Sequence, residues 1–338
     1  MRFLVIGGTA FMGPHVVRKL AGLGHEVAIF HRGKTRASGN PPGILSFLGD
    51  RHLLDQHAGA LRAWKPEIIV DMVLITEADA KDLMRVFEGT AKRVVAVSSI
   101  DAVKAYGVLH GTESGPTIAV PFDEDTPVRE NLYPYRGKVP GLDDYDKILV
   151  EREALAHPEL PATVLRLPMV YGPGDRQRRL RHLVRRMDAG RPAILLESAL
   201  ASWRGSRGYV ENVADAIVSA ALDLRWSGRV YNVAEEPALE ERAWAAAVGA
   251  ATGWKGKFVE VPGVKLPKAL QADFNTAQHL DASSARIRRE LGYRERVAFD
   301  EGLTRTVAWE RANPIPPKPE ETDGDAAEEK VLRELGAW

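Results

Sequence analysis

With 338 residues, 45% of them hydrophobic and 27% charged, the chain is long enough for one large α/β unit or two domains with their own cores. Lys plus Arg and Asp plus Glu both number 46, a balance that argues against a dedicated nucleic-acid or membrane-surface binder. The absence of cysteine excludes disulfides, thiolate metal sites and a cysteine nucleophile.

In chain order, Phe3 to Ile6 reads as a buried strand and Gly13 to Leu23 as a helix. Glu26 to Phe30 is a second strand, and further apolar runs follow at Ile44 to Leu48, Ile68 to Val70 and Val94 to Val97. Continuous apolar strands separated by helices predict a parallel sheet covered on both faces, that is, a Rossmann-type doubly wound α/β fold. From Gly107 to Gly141 the pattern breaks into Gly, Pro and charge, which reads as a long functional loop. A helix is predicted over Asp143 to His157, a strand over Ala162 to Leu167, and a basic helical stretch from Gly172 to Ala189. Val230 to Val233 is another strand. From about Asn313 the proline-rich, acidic tail reads as a mobile extension. These boundaries divide the chain into a dinucleotide-binding domain over 1–168, rejoined by 208–233, a mixed substrate lobe over 169–312, and an extension over 313–338. No apolar run approaches the roughly 18 residues of a membrane span, and no targeting signal is evident, so the cytoplasm is the expected location.

The turn from Gly7 to Gly13 lies directly between the first strand and the first helix. A dinucleotide site needs a tight turn, a close approach of backbone to pyrophosphate, and close helix–strand packing. Gly7 and Gly13 fit the first and third needs, while Ala10 stands at the middle position; Thr9, Phe11 and Met12 complete the cofactor-binding turn. At the end of the second strand an acid would suit the ribose hydroxyls of NAD. Here stand His31 and Arg32, with Lys34 and Arg36 following, and these cations favour NADP over NAD. Asp50 is the candidate for contact with the adenine, or it caps its own loop.

Several further runs join this turn: Ser98-Ser99 after a strand, Lys147-x-x-x-Glu151, and Arg166-Leu-Pro-Met-Val-Tyr-Gly-Pro-Gly-Asp175. Gly208-Tyr-Val-Glu-Asn-Val-Ala-Asp, Val230-Tyr-Asn-Val233 and Leu291-Gly-Tyr293 follow. Together they resemble the extended short-chain dehydrogenase/reductases of the NAD-dependent epimerase/dehydratase type, over nearly the whole chain. The resemblance implies a Ser/Thr, a Tyr and a Lys as catalytic groups, the Tyr exchanging a proton with a substrate hydroxyl and the Lys lowering its pKa and holding the nicotinamide ribose. Ser99 and Lys147 match two of these. The Tyr does not match: Asp143 occupies its place four before Lys147, and Tyr145 is two before, about 200° away on an ideal helix. Either the first helical turn is irregular enough for Tyr145 to face inward, or the acid/base is Asp143, Asp101, Tyr133 or Tyr135. Asp101, two after Ser99, matches an acid of the family's dehydratases, or caps a helix.

By the same resemblance Pro168 and Val170 pass beside the nicotinamide, Tyr171 faces the substrate, and Arg176 and Arg204 bind it, clamping a pyrophosphate if it is a nucleotide sugar. No metal site is expected, since the histidines are scattered. The implied activity is that of an NAD(P)-dependent epimerase or dehydratase acting on a sugar-like hydroxyl or ketone carbon, as a homodimer, with a small molecule as its only partner. Two alternatives stand beside it: an NADPH-dependent ketone or aldehyde reductase, and a non-catalytic NAD(P)-binding regulator or RNA-binding protein that has lost the Tyr-x-x-x-Lys pair.

Overall fold

The computed structural model describes residues 1–35, 40–225 and 227–338. Arg36, one of the predicted 2′-phosphate ligands, lies outside the described residues. Eleven strands run through the described residues: β1 (Arg2–Ile6), β2 (Glu26–His31), β3 (Leu45–Leu48), β4 (Ile68–Asp71), β5 (Arg93–Ser99), β6 (Ala162–Leu167), β7 (Met169–Tyr171), β8 (Ala193–Glu197), β9 (Arg207–Tyr209), β10 (Arg229–Asn232) and β11 (Lys257–Val261). The helices are α1 (Met12–Gly22), α2 (Ala58–Ala63), α3 (Glu77–Phe87), α4 (Lys104–Leu109), α5 (Lys147–Ala156), α6 (Arg181–Asp188), α7 (Ser198–Ala201), α8 (Val210–Leu222), α9 (Glu241–Thr252), α10 (Ala285–Leu291), α11 (Phe299–Ala312) and α12 (Pro319–Glu334).

Seven strands form one sheet in the order β10-β6-β5-β4-β1-β2-β3, and every neighbouring pair in it is parallel. Parallel strands cannot be joined by hairpins, so each connection crosses a face of the sheet, and both faces are buried. The period of two divides β1 between them: Phe3 and Val5 enter the core that α1 and α8 cover, while Leu4 and Ile6 enter the core under α3 and α5. Helix α1 turns Val16, Val17 and Leu20 onto the sheet, the one-face spacing of an amphipathic helix. A capping box between Thr76 and Asp79 starts α3, satisfying amides at both positions. The strand order reverses between β1 and β4, and a cleft opens there at their C-terminal ends, as it does in open α/β sheets generally.

Helix α5 is tied to the sheet by a buried ion pair. Arg166 of β6 holds Glu151 through two guanidinium nitrogens, at 2.7 and 3.0 Å, and Ser98 of β5 donates to the same carboxylate at 2.5 Å. Removing one member of such a pair leaves a buried charge without its counter-ion. Glu151→Ala is therefore expected to lower the unfolding free energy by about 3–5 kcal/mol, measurable by urea denaturation. A loss below about 1 kcal/mol would mean that the pair behaves as an exposed one.

Two expectations need correction. The predicted helix over 143–157 starts only at Lys147, because Asp146 caps it by accepting from the Ile148 amide at 2.8 Å. The tail expected to be mobile instead forms α12, which lies against α6. Its Asp325 accepts from Arg186 at 2.9 Å and also pairs with Arg185, while Glu328 pairs with Arg191 at 2.6 Å. The acids of the tail and these arginines neutralise one another, and Val331 and Leu332 bury beside Leu195 and Val261. Among the described residues no helix is long and apolar enough to cross a membrane.

Candidate active site

The cleft at the sheet's reversal point has a volume of about 490 Å³ and is lined by Gly7, Thr9, Ala10, Phe11 and Met12 on one side and by His31, Arg32, Lys34 and Asp50 on the other. The glycine positions are enforced sterically. Gly7 has φ +89°, and a Cβ on Gly13 would lie 2.6 Å from the Gly7 carbonyl oxygen and 2.7 Å from the Gly8 carbonyl carbon. Backbone thus packs on backbone where α1 leaves the loop. No side chain caps the start of α1, its first turn holds no acid, and the Gly13 amide is taken by the Ala10 carbonyl at 2.9 Å; the positive end of the helix dipole therefore faces the cleft, a setting for a pyrophosphate. The residues present fit a dinucleotide.

At the far rim, burial lowers the His31 pKa, and its Nδ1 accepts from the Gly33 amide at 3.2 Å. The rim cations are therefore Arg32 and Lys34. Asp50 accepts from the His52 amide at 3.1 Å, capping its own turn while lining the cleft. Arg51 was not singled out by the sequence. It is buried in the cleft wall, donating to Asp71 at 2.6 Å and to the Asp79 carbonyl at 2.6 Å, with its Nη1 lacking a hydrogen-bond partner.

The acid–base groups gather beside this cleft. The segment after β4 connects the two places: Met72, Val73 and Ile75 line the cleft, and Thr76 bridges to Tyr145. Ser99 ends β5 and its hydroxyl accepts from the Asp101 amide at 3.2 Å. Tyr145 donates its phenol to Asp101 Oδ2 at 2.8 Å. The ideal-helix angle that set Tyr145 apart from Lys147 does not apply, because Tyr145 precedes the helix, and the Asp146 amide donates to the Ile75 carbonyl at 3.1 Å, holding this stretch against the end of β4. Tyr135, from the long Gly- and Pro-rich loop, donates to the same Asp101 oxygen at 3.1 Å.

Lys147 is buried and its ammonium donates to the carbonyls of Leu74, at 2.5 Å, and Val97, at 3.0 Å. It lies 5.5 Å from the centre of the Tyr145 ring. The electrostatics differ from the implied Tyr–Lys pair. Burial and the Asp101 carboxylate push the Tyr145 phenol well above its ordinary value, so Tyr145 is a proton donor and not a phenolate. Burial likewise raises the Asp101 carboxyl, opposed by the Tyr145 hydrogen bond and by Lys147 and Arg129, and lowers the Lys147 ammonium. Asp101 Oδ1 is buried without a partner.

The other predicted residues separate. Arg176 lines the same cleft as the glycine turn. Tyr171 is fully buried, donating to Glu235 at 3.2 Å and packed edge-on against Trp244; it is a core residue, and the reading that it faces substrate is corrected. Pro168 and Val170 are buried at the junction of β6 and β7. Arg204 pairs with Asp281 at 3.4 Å, at the edge of the lobe. A second cavity of about 370 Å³ between Arg207, Glu235, Trp244 and Phe299 contains none of the acid–base groups. Among the described residues no cluster of three or more His, Asp or Glu side chains could hold a metal ion. Tyr135, one of the alternatives to Tyr145 as acid/base, belongs to the cluster through its hydrogen bond to Asp101.

The sequence model of the NAD dependent epimerase/dehydratase family matches residues 3–234. The chain is 31% identical over 212 residues to a 2′-dehydrokanamycin reductase of Streptomyces kanamyceticus, a match that spans 60% of this chain but only 53% of that protein. It is 24% identical over 332 residues to a UDP-N-acetyl-alpha-D-glucosaminuronate decarboxylase of Bacillus cytotoxicus, covering 92% and 98% of the two chains. Its fold superimposes on a Thermus thermophilus UDP-glucose 4-epimerase solved with NAD, with a TM-score of 0.66, 22% identity, and coverage of 93% and 100%. The glycine turn at the sheet's reversal point, the serine and lysine beside it, and the match over residues 3–234 agree: the chain belongs to the NAD-dependent epimerase/dehydratase family.

Proposed function

We propose that the chain is an NADP-dependent oxidoreductase of the epimerase or dehydratase kind, acting at a hydroxyl or ketone carbon of a sugar-like, nucleotide-linked substrate. The observation that carries it is the Tyr145 phenol on Asp101 Oδ2 at 2.8 Å, with Ser99 and the buried Lys147 alongside. Bound in the cleft, the dinucleotide supplies the hydride exchange. Tyr145 then gives a proton to the substrate oxygen or returns one to Asp101, Ser99 orients that oxygen, and Lys147 and Arg129 balance the carboxylate. In this reading residues 1–168 with 208–233 hold the cofactor, 169–312 hold the substrate, and the protein acts as a homodimer in the cytoplasm. The test is to incubate the purified protein with UDP-glucose or dTDP-glucose and follow the sugar by NMR, after identifying any released dinucleotide by mass spectrometry. An epimerised or dehydrated sugar supports the reading, and a protein that binds neither dinucleotide overturns it.

The rim cations favour a second reading, an NADPH-dependent reductase with exchangeable cofactor. Both readings place Arg32 on the 2′-phosphate. A charge-assisted hydrogen bond is worth about 1.5–3 kcal/mol, so Arg32→Ala is expected to weaken NADPH binding about 10- to 100-fold while NADH binding barely changes. Calorimetric titration of both cofactors checks this; an equal loss for both would reject NADP specificity.

A further inference from the structure

The hydrogen bonds around Asp101 do not end at Tyr145. Tyr135 reaches the same carboxylate oxygen at 3.1 Å, and its hydroxyl lies 2.8 Å from that of Tyr106 on α4. Just past the end of α4 the exposed ring of His110 stands 4.4 Å from the ring of Tyr106. A continuous line of oxygens thus runs from Tyr145 through Asp101 and Tyr135 to Tyr106, whose ring lies against the exposed His110. The alternative, that these phenols only pack, does not explain why two of them converge on one carboxylate oxygen while its other oxygen is left bare. Buried hydroxyls are normally shared out among acceptors, and a bare buried oxygen is costly.

We propose that Tyr135 and Tyr106 are positioning residues that carry protons between solvent beside His110 and the Asp101–Tyr145 pair. The proposal rests on reading that pair as the acid–base unit. When Tyr145 gives its proton to a substrate oxygen, Tyr135 gives its own to Asp101, which passes one to Tyr145; Tyr106 refills Tyr135 and is itself refilled by a hydronium ion or buffer acid, whose conjugate base stays in solvent. Each group gains one proton and loses one, so the chain is unchanged after each turnover and runs in reverse for oxidation. No electrons pass along it. The groups facing Asp101 fit this exchange. Burial raises its carboxyl, while the Tyr145 and Tyr135 hydrogen bonds, Lys147 and Arg129 act against burial. Burial raises the phenols of Tyr135 and Tyr106, so both rest as neutral hydroxyls that can donate and accept at once.

The test compares the full-length protein with Tyr135→Phe and Tyr106→Phe. The first measurement is infrared titration of the Asp101 carboxyl, assigned by subtracting the Asp101→Asn spectrum. Tyr135→Phe removes one donor to the carboxylate, so the titration midpoint should rise by about one pH unit. The second is turnover with UDP-glucose or dTDP-glucose. We expect kcat to fall about tenfold or more with KM unchanged, and added imidazole, a small proton carrier, to restore it. An unmoved midpoint in Tyr135→Phe, or a kcat that imidazole does not restore, overturns the relay. If the unaltered protein turns over neither sugar, the proposed activity fails, and the infrared midpoint alone decides the relay.

Discussion

Asp101→Asn is expected to lower kcat by about 10²–10⁴-fold, the usual weight of a positioned acid–base group, without unfolding the protein. The amide is nearly isosteric and can still accept from Tyr145 through its oxygen, but it can neither take up the phenolic proton nor return one. The stability effect has a definite sign. Asp101 ionises at about 3.8 in its ordinary state, and burial raises this in the folded protein. Between the two values the folded chain binds more protons than the unfolded chain, so stability falls as pH rises through that window. Below about 3.8 both states hold the proton and the penalty vanishes. Asparagine does not titrate, so the variant should lose the parent's fall in stability over that window. Thermal melts at several pH values, set beside turnover of UDP-glucose, check both halves. A variant that keeps full kcat would remove Asp101 from the acid–base pair.

The pairing of lost activity with retained stability separates chemistry from packing, and it explains what the sequence could and could not reveal. The parallel sheet was legible because its strands are buried on both faces and read as unbroken apolar runs. Gly7 and Gly13 were legible because their role is steric and local, between one strand and one helix. Tyr145 was harder. Its direction depends on where α5 begins, and that is set by the Asp146 cap and by the Ile75 carbonyl far away in sequence. An ideal helix extended back from Lys147 puts Tyr145 on the wrong side. Tyr135 was legible only as one candidate beside Asp143, Asp101 and Tyr133: its partner Asp101 lies 34 residues earlier, and a Gly- and Pro-rich loop has no periodicity to choose among them. Tyr171 misled because a motif position carried a role by resemblance, whereas the neighbouring Tyr209 and Trp244 enclose it completely. The acidic tail misled because charge reads as solvent exposure until its counter-ions are in view, and those lie on α6, roughly 140 residues earlier.

Gly13→Ala tests the other half of the site, where geometry and not charge sets the result. In a helix free of neighbours, replacing Gly by Ala stabilises by about 1 kcal/mol. Here the added methyl would stand 2.6 Å from the Gly7 carbonyl oxygen and 2.8 Å from the Gly8 Cα. These are backbone atoms, so no rotamer change can make room, and either α1 or the glycine turn must move. Overpacking of this kind costs about 1–3 kcal/mol, which outweighs the propensity gain and gives a net loss of stability. The displacement falls on the amides that would receive the pyrophosphate, and each such bond is worth about 1.5–3 kcal/mol. Affinity for NADPH should therefore fall at least tenfold, in parallel with that for NADH, because the pyrophosphate is common to both. That parallel loss sets Gly13→Ala apart from Arg32→Ala, which is expected to affect NADPH alone. Fluorescence titration of the two reduced cofactors against both variants resolves the pattern. If Gly13→Ala bound both cofactors as the parent does and melted higher, the glycine turn would be an ordinary tight turn and the dinucleotide would have to sit elsewhere.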